Sequence, residues 1–127
     1  MNLESKKVIE FLGEPDEKTK AELWGADGAY HQQWTYLKKG IELDIIGELN
    51  NNLRVNLITV SEPCKLKTKR NIGVGSSFED VQNVYKYEIN PTISNAEIIV
   101  AGTFYGGVVF RFVDNKVQSI FIGASAE

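Results

Sequence analysis

The stretch Glu97–Ile122, EIIVAGTFYGGVVFRFVDNKVQSIFI, contains three apolar runs in close succession. Gly106-Gly107 separates the first run from the second, and Asp114-Asn115 separates the second from the third. Both pairs adopt positive φ at low cost, as tight hairpin turns require. In the middle run Val108, Phe110 and Phe112 alternate with Val109, Arg111 and Val113, and in the last run Val117, Ser119 and Phe121 alternate with Gln118, Ile120 and Ile122. This two-residue period predicts a three-stranded antiparallel meander.

The length and composition are typical of one soluble globular domain. A chain of 127 residues can bury about two-thirds of the surface that it exposes when unfolded. Hydrophobic residues make up 43% of the sequence and charged residues 24%, which is ordinary for a folded domain and unlike a disordered segment. We therefore predict a single domain that spans residues 1–127.

The charge balance restricts the classes of partner. A formal net charge of -3 argues against general binding to nucleic acid or to an anionic membrane, because such binding depends on clustered Lys and Arg. A cationic protein suits this chain better. The opening residues MNLESKKVIEFLGE contain no apolar run long enough for a signal peptide or a membrane span. We expect a cytoplasmic location, or a periplasmic one if a leader was removed.

The first half predicts one helix followed by three strands. Ser5 can cap a helix whose apolar side chains lie at helical spacing and which ends at Gly13-Glu14-Pro15. Asp16 to Glu22 lacks an apolar stripe, so a second helix is disfavoured there. Leu23 to Gln33, which includes the turn residues Gly25, Asp27 and Gly28, is predicted to be a loop. The three predicted strands are Trp34 to Leu37, Ile41 to Ile46 and Leu53 to Val60.

The second half repeats this order after a connector, residues 61–75, that carries Pro63 and four basic side chains. Ser76 or Ser77 is predicted to cap a second helix, with Glu79 and Asp80 in its first turn, where the helix dipole favours anions. The meander follows. The sequence therefore predicts an α+β fold made of two tandem helix–three-strand repeats, at about 3–60 and 76–123, whose strands form one antiparallel sheet with both helices packed on one face.

This pattern resembles the unit of the outer-membrane assembly lipoproteins, which is present in duplicate in the β-lactamase inhibitor proteins. The residues that carry the resemblance are Leu12, Gly13, Pro15, Trp34, Tyr36, Gly40, Ile41, Val55 and Ile58 in the first half, and Ile72, Gly73, Gly75, Val81, Tyr85, Gly107, Phe110, Val117 and Ile120 in the second. The chain departs from the lipoproteins because it has no lipidation cysteine near its start, and from the inhibitors because it lacks their cysteine pairs. The resemblance implies a curved sheet with one face available to a protein, and a binder or inhibitor rather than a catalyst.

No motif predicts catalysis, a metal or a cofactor. His31 and Cys64 are the sole histidine and the sole thiol, and neither has a flanking motif that would supply a partner. His31 is interpreted as a surface loop residue. The segment Gly73-Val74-Gly75-Ser76-Ser77 lacks the lysine and the spacing of a phosphate loop and is interpreted as a tight entry into a capped helix. The basic run Lys65–Arg70 has no interleaved aromatics and is interpreted as a solvated connector.

The predicted function is protein binding, by an inhibitor or immunity protein that covers the active surface of a bacterial toxin or enzyme, such as a basic nuclease. Glu42 and Asp44 share one strand face, and with Glu48 they are expected to meet the partner's cations. The remaining predicted contacts are Arg54, Asn56, Arg111 and Gln118 on the free sheet face, with Trp24, Tyr30 and Tyr105 as aromatic anchors. Trp34 and Tyr36 are assigned to the core. The alternatives are a cell-envelope assembly or structural module whose leader is absent from this sequence, and a small-molecule binder.

Overall fold

The computed structural model describes residues 4–20, 22–23, 28–47, 53–102 and 107–123. These residues form two helices, a 3₁₀ turn at Leu37–Lys39 and eight strands. The helices are α1 (Ser5–Leu12) and α2 (Phe78–Val84). The strands are β1 (Glu17–Lys18), β2 (Glu22–Leu23), β3 (Tyr30–Tyr36), β4 (Ile41–Gly47), β5 (Arg54–Ser61), β6 (Ile98–Ala101), β7 (Val108–Val113) and β8 (Lys116–Gly123). The architecture is an antiparallel sheet with two helices, which agrees with the predicted α+β class.

The strands follow the order β1-β3-β4-β5-β8-β7-β6, and β2 pairs with β3 next to β1. Two meanders, β3-β4-β5 and β6-β7-β8, therefore meet where β5 pairs with β8. That seam runs in register from Leu57 opposite Gly123 to Ser61 opposite Ser119. Because the seam lies between the third strands of the two meanders, β5 and β8 are the central strands of the sheet.

The loop predicted between Leu23 and Gln33 is wrong at both ends. Glu22 pairs with His31 and Leu23 pairs with Tyr30, so β3 begins four residues before the predicted start at Trp34. Turn-forming residues led to the wrong boundary, because cross-strand pairing with β2 and β4 extends the strand beyond its aromatic segment. The turn residues Gly25 and Asp27 lie outside the described residues.

The end of α1 and the start of α2 lie at residues that the sequence predicts. Gly13 follows α1 with a φ of 80°, and its N–H donates to the carbonyl oxygen of Ile9. The predicted cap at Ser5 is wrong by one residue, because Glu4 occupies the N-cap position and makes no side-chain cap. At α2 the prediction is confirmed, since the Ser77 hydroxyl accepts a hydrogen bond from the Asp80 N–H at 3.0 Å.

One face of the sheet, here called the core face, carries the hydrophobic core and both described helices. Buried side chains on this face include Trp34, Tyr36, Ile41, Leu43, Ile45, Phe110, Phe112 and Ile120, packed with Val8 of α1 and Val81 of α2. The ring centroids of Tyr85 and Phe110 lie 5.0 Å apart, and those of Phe78 and Phe112 lie 4.9 Å apart. The Tyr36 hydroxyl donates to the Gly13 carbonyl oxygen at 2.9 Å. The prediction that Trp34 and Tyr36 belong to the core is confirmed.

The hairpin between β7 and β8 forms as its sequence predicts, but a bulge changes the alternation of β8. Asp114 and Asn115 have φ values of 51° and 62°, as a two-residue hairpin turn requires. The register shifts between Arg111, opposite Ser119, and Phe112, opposite Val117, so Gln118 has no partner. Because a bulge inserts one residue, Val117 and Ile120 both join the core, and the predicted strict alternation of β8 is wrong at this point.

The outer edge of β6 is covered by the segment that precedes it. The N–H of Val100 donates to the Ser94 hydroxyl, and the Val100 carbonyl oxygen accepts from Asn90. Asn95 bonds both backbone groups of Ile98 in the same way. At the other edge, β1 and β2 have two exposed residues each. Covered or very short edge strands oppose pairing with another chain, so neither described edge of the sheet favours the addition of a further strand.

Candidate docking face

The face opposite the core face, here called the outer face, has a polar centre on β3, β4 and β5, in which His31 and Asp44 are buried. It consists of His31, Gln33, Asp44 and Asn56, here called the polar cluster. The Asp44 carboxylate accepts from His31 Nδ1 at 2.9 and 3.1 Å, from Gln33 Nε2 at 2.9 Å and from Asn56 Nδ2 at 2.8 Å. Only 6% of Asp44 and 4% of His31 are exposed. A carboxylate only accepts, so His31 holds a hydrogen on Nδ1 in this contact.

Strand pairing explains why these four side chains meet. Gln33 lies directly opposite Asp44, and His31 lies opposite Ile46, two residues further along the same face of β4. The register between β4 and β5 shifts after Asp44, because Leu57 pairs with Asp44 while Val55 pairs with Ile45. Asn56 is the extra residue of this bulge, and its amide turns toward Asp44. The cluster is therefore a consequence of register over three strands.

Two predictions about these residues are wrong. His31 is a buried strand residue and does not lie in a surface loop. Asp44 lies on the predicted face but is buried by its three donors, so it is not exposed for direct contact with a partner. A carboxylate that accepts several hydrogen bonds can be buried, because those bonds offset the free-energy cost of its desolvation.

A small hollow opens beside the polar cluster. It has a volume of about 140 Å³ and is lined by Gln33, Glu42, Leu43, Asp44, Leu57, Thr59 and Phe121. We call it the face pocket. Glu42 lies opposite Thr59, which in turn lies opposite Phe121. Glu42 is exposed, and within the described ranges its carboxylate has no hydrogen-bond or ion-pair partner. The face pocket therefore combines one unpaired charge with apolar walls.

The outer face of the second meander contains a buried apolar pair. Val100 is 0% exposed and Val109 2%, and these two residues lie opposite each other on β6 and β7. Arg111, two residues after Val109, is exposed between Ile98 and Ser119. The outer face thus has a polar half and an apolar half on either side of the β5–β8 seam.

The structure brings some of the predicted contact residues together on this face and separates others. Glu42, Asp44, Arg54, Asn56 and Arg111 lie on the outer face, and Gln118 is the exposed bulge residue of β8. Tyr30 shares its alternation with Trp34 and Tyr36, which places it on the side of the core face. Glu48, Trp24 and Tyr105 lie outside the described residues.

The predicted entry into α2 is also confirmed by its hydrogen bonds. The Gly73 N–H donates to the Ser76 hydroxyl, and the Gly75 N–H donates to the Val117 carbonyl oxygen. The N–H of Ser76 donates to the Gly73 carbonyl oxygen. These amides already have partners within the chain, so they are not directed at a phosphate.

Other features of the described ranges contribute less. A hollow of about 730 Å³ lies between the connector and the start of β8, lined by residues that include Pro63, Cys64, Lys65 and Lys116. Among the residues placed by the structure, no group of three or more His, Cys, Asp and Glu side chains could hold a metal ion. The same residues include no helix of the length and apolarity that a membrane span needs.

Comparison with known proteins returns no match, because no family model, no curated protein and no solved structure matches the chain. The function proposed for the chain therefore rests on the geometry of the outer face.

Proposed function

We propose that this chain is a non-enzymatic protein-binding module that inhibits a bacterial toxin or enzyme by covering its active surface with the outer face. The observation that supports this proposal most strongly is the position of that face. The outer face is the sheet face that does not carry the two described helices. One edge of the sheet is covered by the segment before β6, and the other ends in the two-residue strands β1 and β2. A partner that approaches the sheet is therefore directed to the face and away from its edges.

The charges of the outer face suit recognition by complementary pattern. Among the described residues the Glu42 carboxylate on β4 is unpaired, and Arg54 on β5 and Arg111 on β7 are exposed on the same face. Charges that are complementary to those of a partner steer its approach and fix its orientation in the complex. We propose a partner with a basic surface that meets Glu42, such as a toxin or nuclease domain. Asp44 would act indirectly, by positioning the side chains around it.

We also propose that the two halves are copies of one unit, at about residues 3–60 and 76–123, joined by the connector 61–75. Each half contains a helix and a three-stranded meander, with the short strands β1 and β2 inserted between them in the first half, and the third strands of the two meanders pair with each other. In such a duplication Thr103-Phe104-Tyr105 would correspond to Trp34-Thr35-Tyr36 of β3, and residues 103–105 lie outside the described residues. A duplicated unit would give the inhibitor one continuous sheet from two small motifs that cannot bury their apolar faces alone.

Photo-cross-linking in the native cell tests where a partner docks. A photoreactive amino acid is placed at Thr35 or Ser119 on the outer face, and at Glu10 or Glu79 on the exposed sides of the helices. We expect one protein to be captured from both outer-face positions and from neither helix position. Capture from the helix positions alone, or from none of the four, would contradict the proposal. If the captured protein belongs to the cell envelope, the assembly-module alternative is favoured instead.

A further inference from the structure

We propose that the face pocket receives one arginine side chain of the partner protein. This inference rests on the proposed function, because it assigns a ligand to the same outer face. It commits the partner to presenting a guanidinium group at the contact with β4 and β5.

The size of the face pocket restricts its occupant. Its volume of about 140 Å³ is room for roughly five water molecules at their liquid volume. Pockets for drug-sized ligands and cofactors usually measure about 300–1,000 Å³. The face pocket is thus too small for such a molecule and matches one long side chain.

The walls restrict the chemistry of that side chain. Leu57 and Phe121 are half-buried and offer apolar contact to an aliphatic stem, while Glu42 lies across Thr59 at the rim. A wholly apolar side chain would desolvate the Glu42 carboxylate without replacing its hydrogen bonds, which is costly. A carboxylate ligand would be repelled. A cationic side chain with an alkyl stem satisfies both walls.

The free polar atoms of the face pocket favour arginine over lysine. Asp44 is occupied by its three donors, and the Gln33 amide nitrogen donates to it. Among the described residues, the side-chain amide oxygen of Gln33 and the Glu42 carboxylate remain as acceptors. Arginine is a donor-only group with five N–H bonds in a planar fork, so it can serve two separate acceptors at once. An ammonium group is a single point charge and makes a poorer match to such a pair.

An NMR titration with small probes tests this assignment on the full chain. The probes are N-acetyl-arginine amide, the lysine analogue and N-acetyl-citrulline amide, which keeps the shape of arginine without its charge. We expect saturable shifts at Gln33, Glu42, Thr59 and Phe121 with the arginine probe, weaker shifts with lysine and none with citrulline. Glu42→Gln should weaken arginine binding on the order of tenfold, while Glu79→Gln on α2 should leave it unchanged.

Three outcomes would overturn the inference: no saturable shift with arginine up to about 50 mM, well above a millimolar dissociation constant, equal shifts with citrulline, or unchanged binding in Glu42→Gln. Amide spectra of both variants show whether each is folded. If arginine binds the face pocket but cross-linking finds no partner on the outer face, the preference of the pocket for arginine stands, while its assignment to a partner protein and the inhibitor proposal both fail. If a partner docks there and Glu42→Gln does not change its affinity, the pocket assignment alone fails.

Discussion

The two meanders share a strand order but fill the outer face by opposite means. In the first, Asp44 is buried by three hydrogen-bond donors. In the second, the buried residues of the outer face are the apolar pair Val100 and Val109. Apolar contact is non-directional and tolerates small changes, whereas a hydrogen-bonded carboxylate needs every partner in place. The same backbone plan therefore supports one rigidly specified half and one more tolerant half.

The largest expected difference between the halves comes from removing the acceptor of the polar cluster. Asp44→Ala leaves His31, Gln33 and Asn56 without their shared partner, and we expect a loss of about 3 kcal/mol in the free energy of unfolding. The matched change Val109→Ala should cost about 2 kcal/mol through lost apolar burial. Urea unfolding measures both. A loss below about 1 kcal/mol for Asp44→Ala would show that the cluster does not stabilise the first meander.

The turns of the two meanders provide a second comparison. Gly40, which follows the 3₁₀ turn, has a φ of 67°, and a Cβ there would overlap the Ser61 carbonyl oxygen. We expect Gly40→Ala to cost about 2 kcal/mol. Asn115 has a φ of 62°, a conformation that glycine adopts without steric cost. Asn115→Gly should therefore change stability by only a few tenths of a kcal/mol.

Thermal unfolding of both turn variants checks this contrast. Gly28→Ala serves as a control for backbone strain, because Gly28 has the same φ of 67° but no atom of the described residues lies within 4 Å of a Cβ built there. Equal losses at Gly40 and Gly28 would mean that strain alone acts, without the close approach of Ser61.

A smaller effect is expected where α1 is tied to the first meander. The Tyr36 hydroxyl donates to Gly13, and Tyr36→Phe should cost about 1 kcal/mol. Burial, and then the negative charges of Glu14 and Asp16, raise the pKa of Tyr36. A raised folded-state pKa gives stability that is complete below the unfolded pKa of about 10 and falls as the pH rises above it. Tyr36→Phe should reduce this alkaline fall.

Unfolding curves collected between neutral and alkaline pH measure the change, with Tyr87→Phe as the control. Tyr87 is 87% exposed, so its removal should leave the alkaline fall as it is in the wild type. An unchanged alkaline fall in Tyr36→Phe would contradict the assigned role of the buried hydroxyl.

The smallest effect is expected at the surface of the second half. The Arg70 guanidinium donates to Glu88 at 2.9 Å, and this hydrogen bond, with the charge of Arg70, lowers the pKa of Glu88. A lowered folded-state pKa gives stability that is present above the unfolded pKa and is lost as the pH falls through the folded one. Glu88→Gln should slightly flatten the acid side of the stability profile. High salt should remove the difference from wild type, because exposed pairs are screened.

Local patterns in the sequence predict the elements that depend on local chemistry. The alternation of Val108, Phe110 and Phe112 identifies β7, and Asp114-Asn115 identifies the hairpin, because period and positive φ are properties of short segments. Ser77 likewise identifies the start of α2. These predictions needed no knowledge of which strands pair.

The polar cluster could not be predicted in the same way, because it depends on register between distant segments. His31 and Asp44 are 13 residues apart, and Asn56 reaches Asp44 only through the bulge of β5. The one local signal is that His31 and Gln33 alternate with the aromatic residues of β3. Extending that alternation back to Tyr30 would have placed both side chains on the face of Asp44. The face pocket follows from the same register and was missed for the same reason.

Titration calorimetry with the purified, unmodified partner that cross-linking identifies tests most directly whether the outer face is the docking surface. Thr59 lies at the middle of this face on β5, so Thr59→Trp should block close approach and weaken binding by about a hundredfold or more. Glu79→Trp, on the opposite side at α2, should bind within about twofold of wild type. Wild-type affinity in Thr59→Trp, or loss of binding only in Glu79→Trp, would contradict the account.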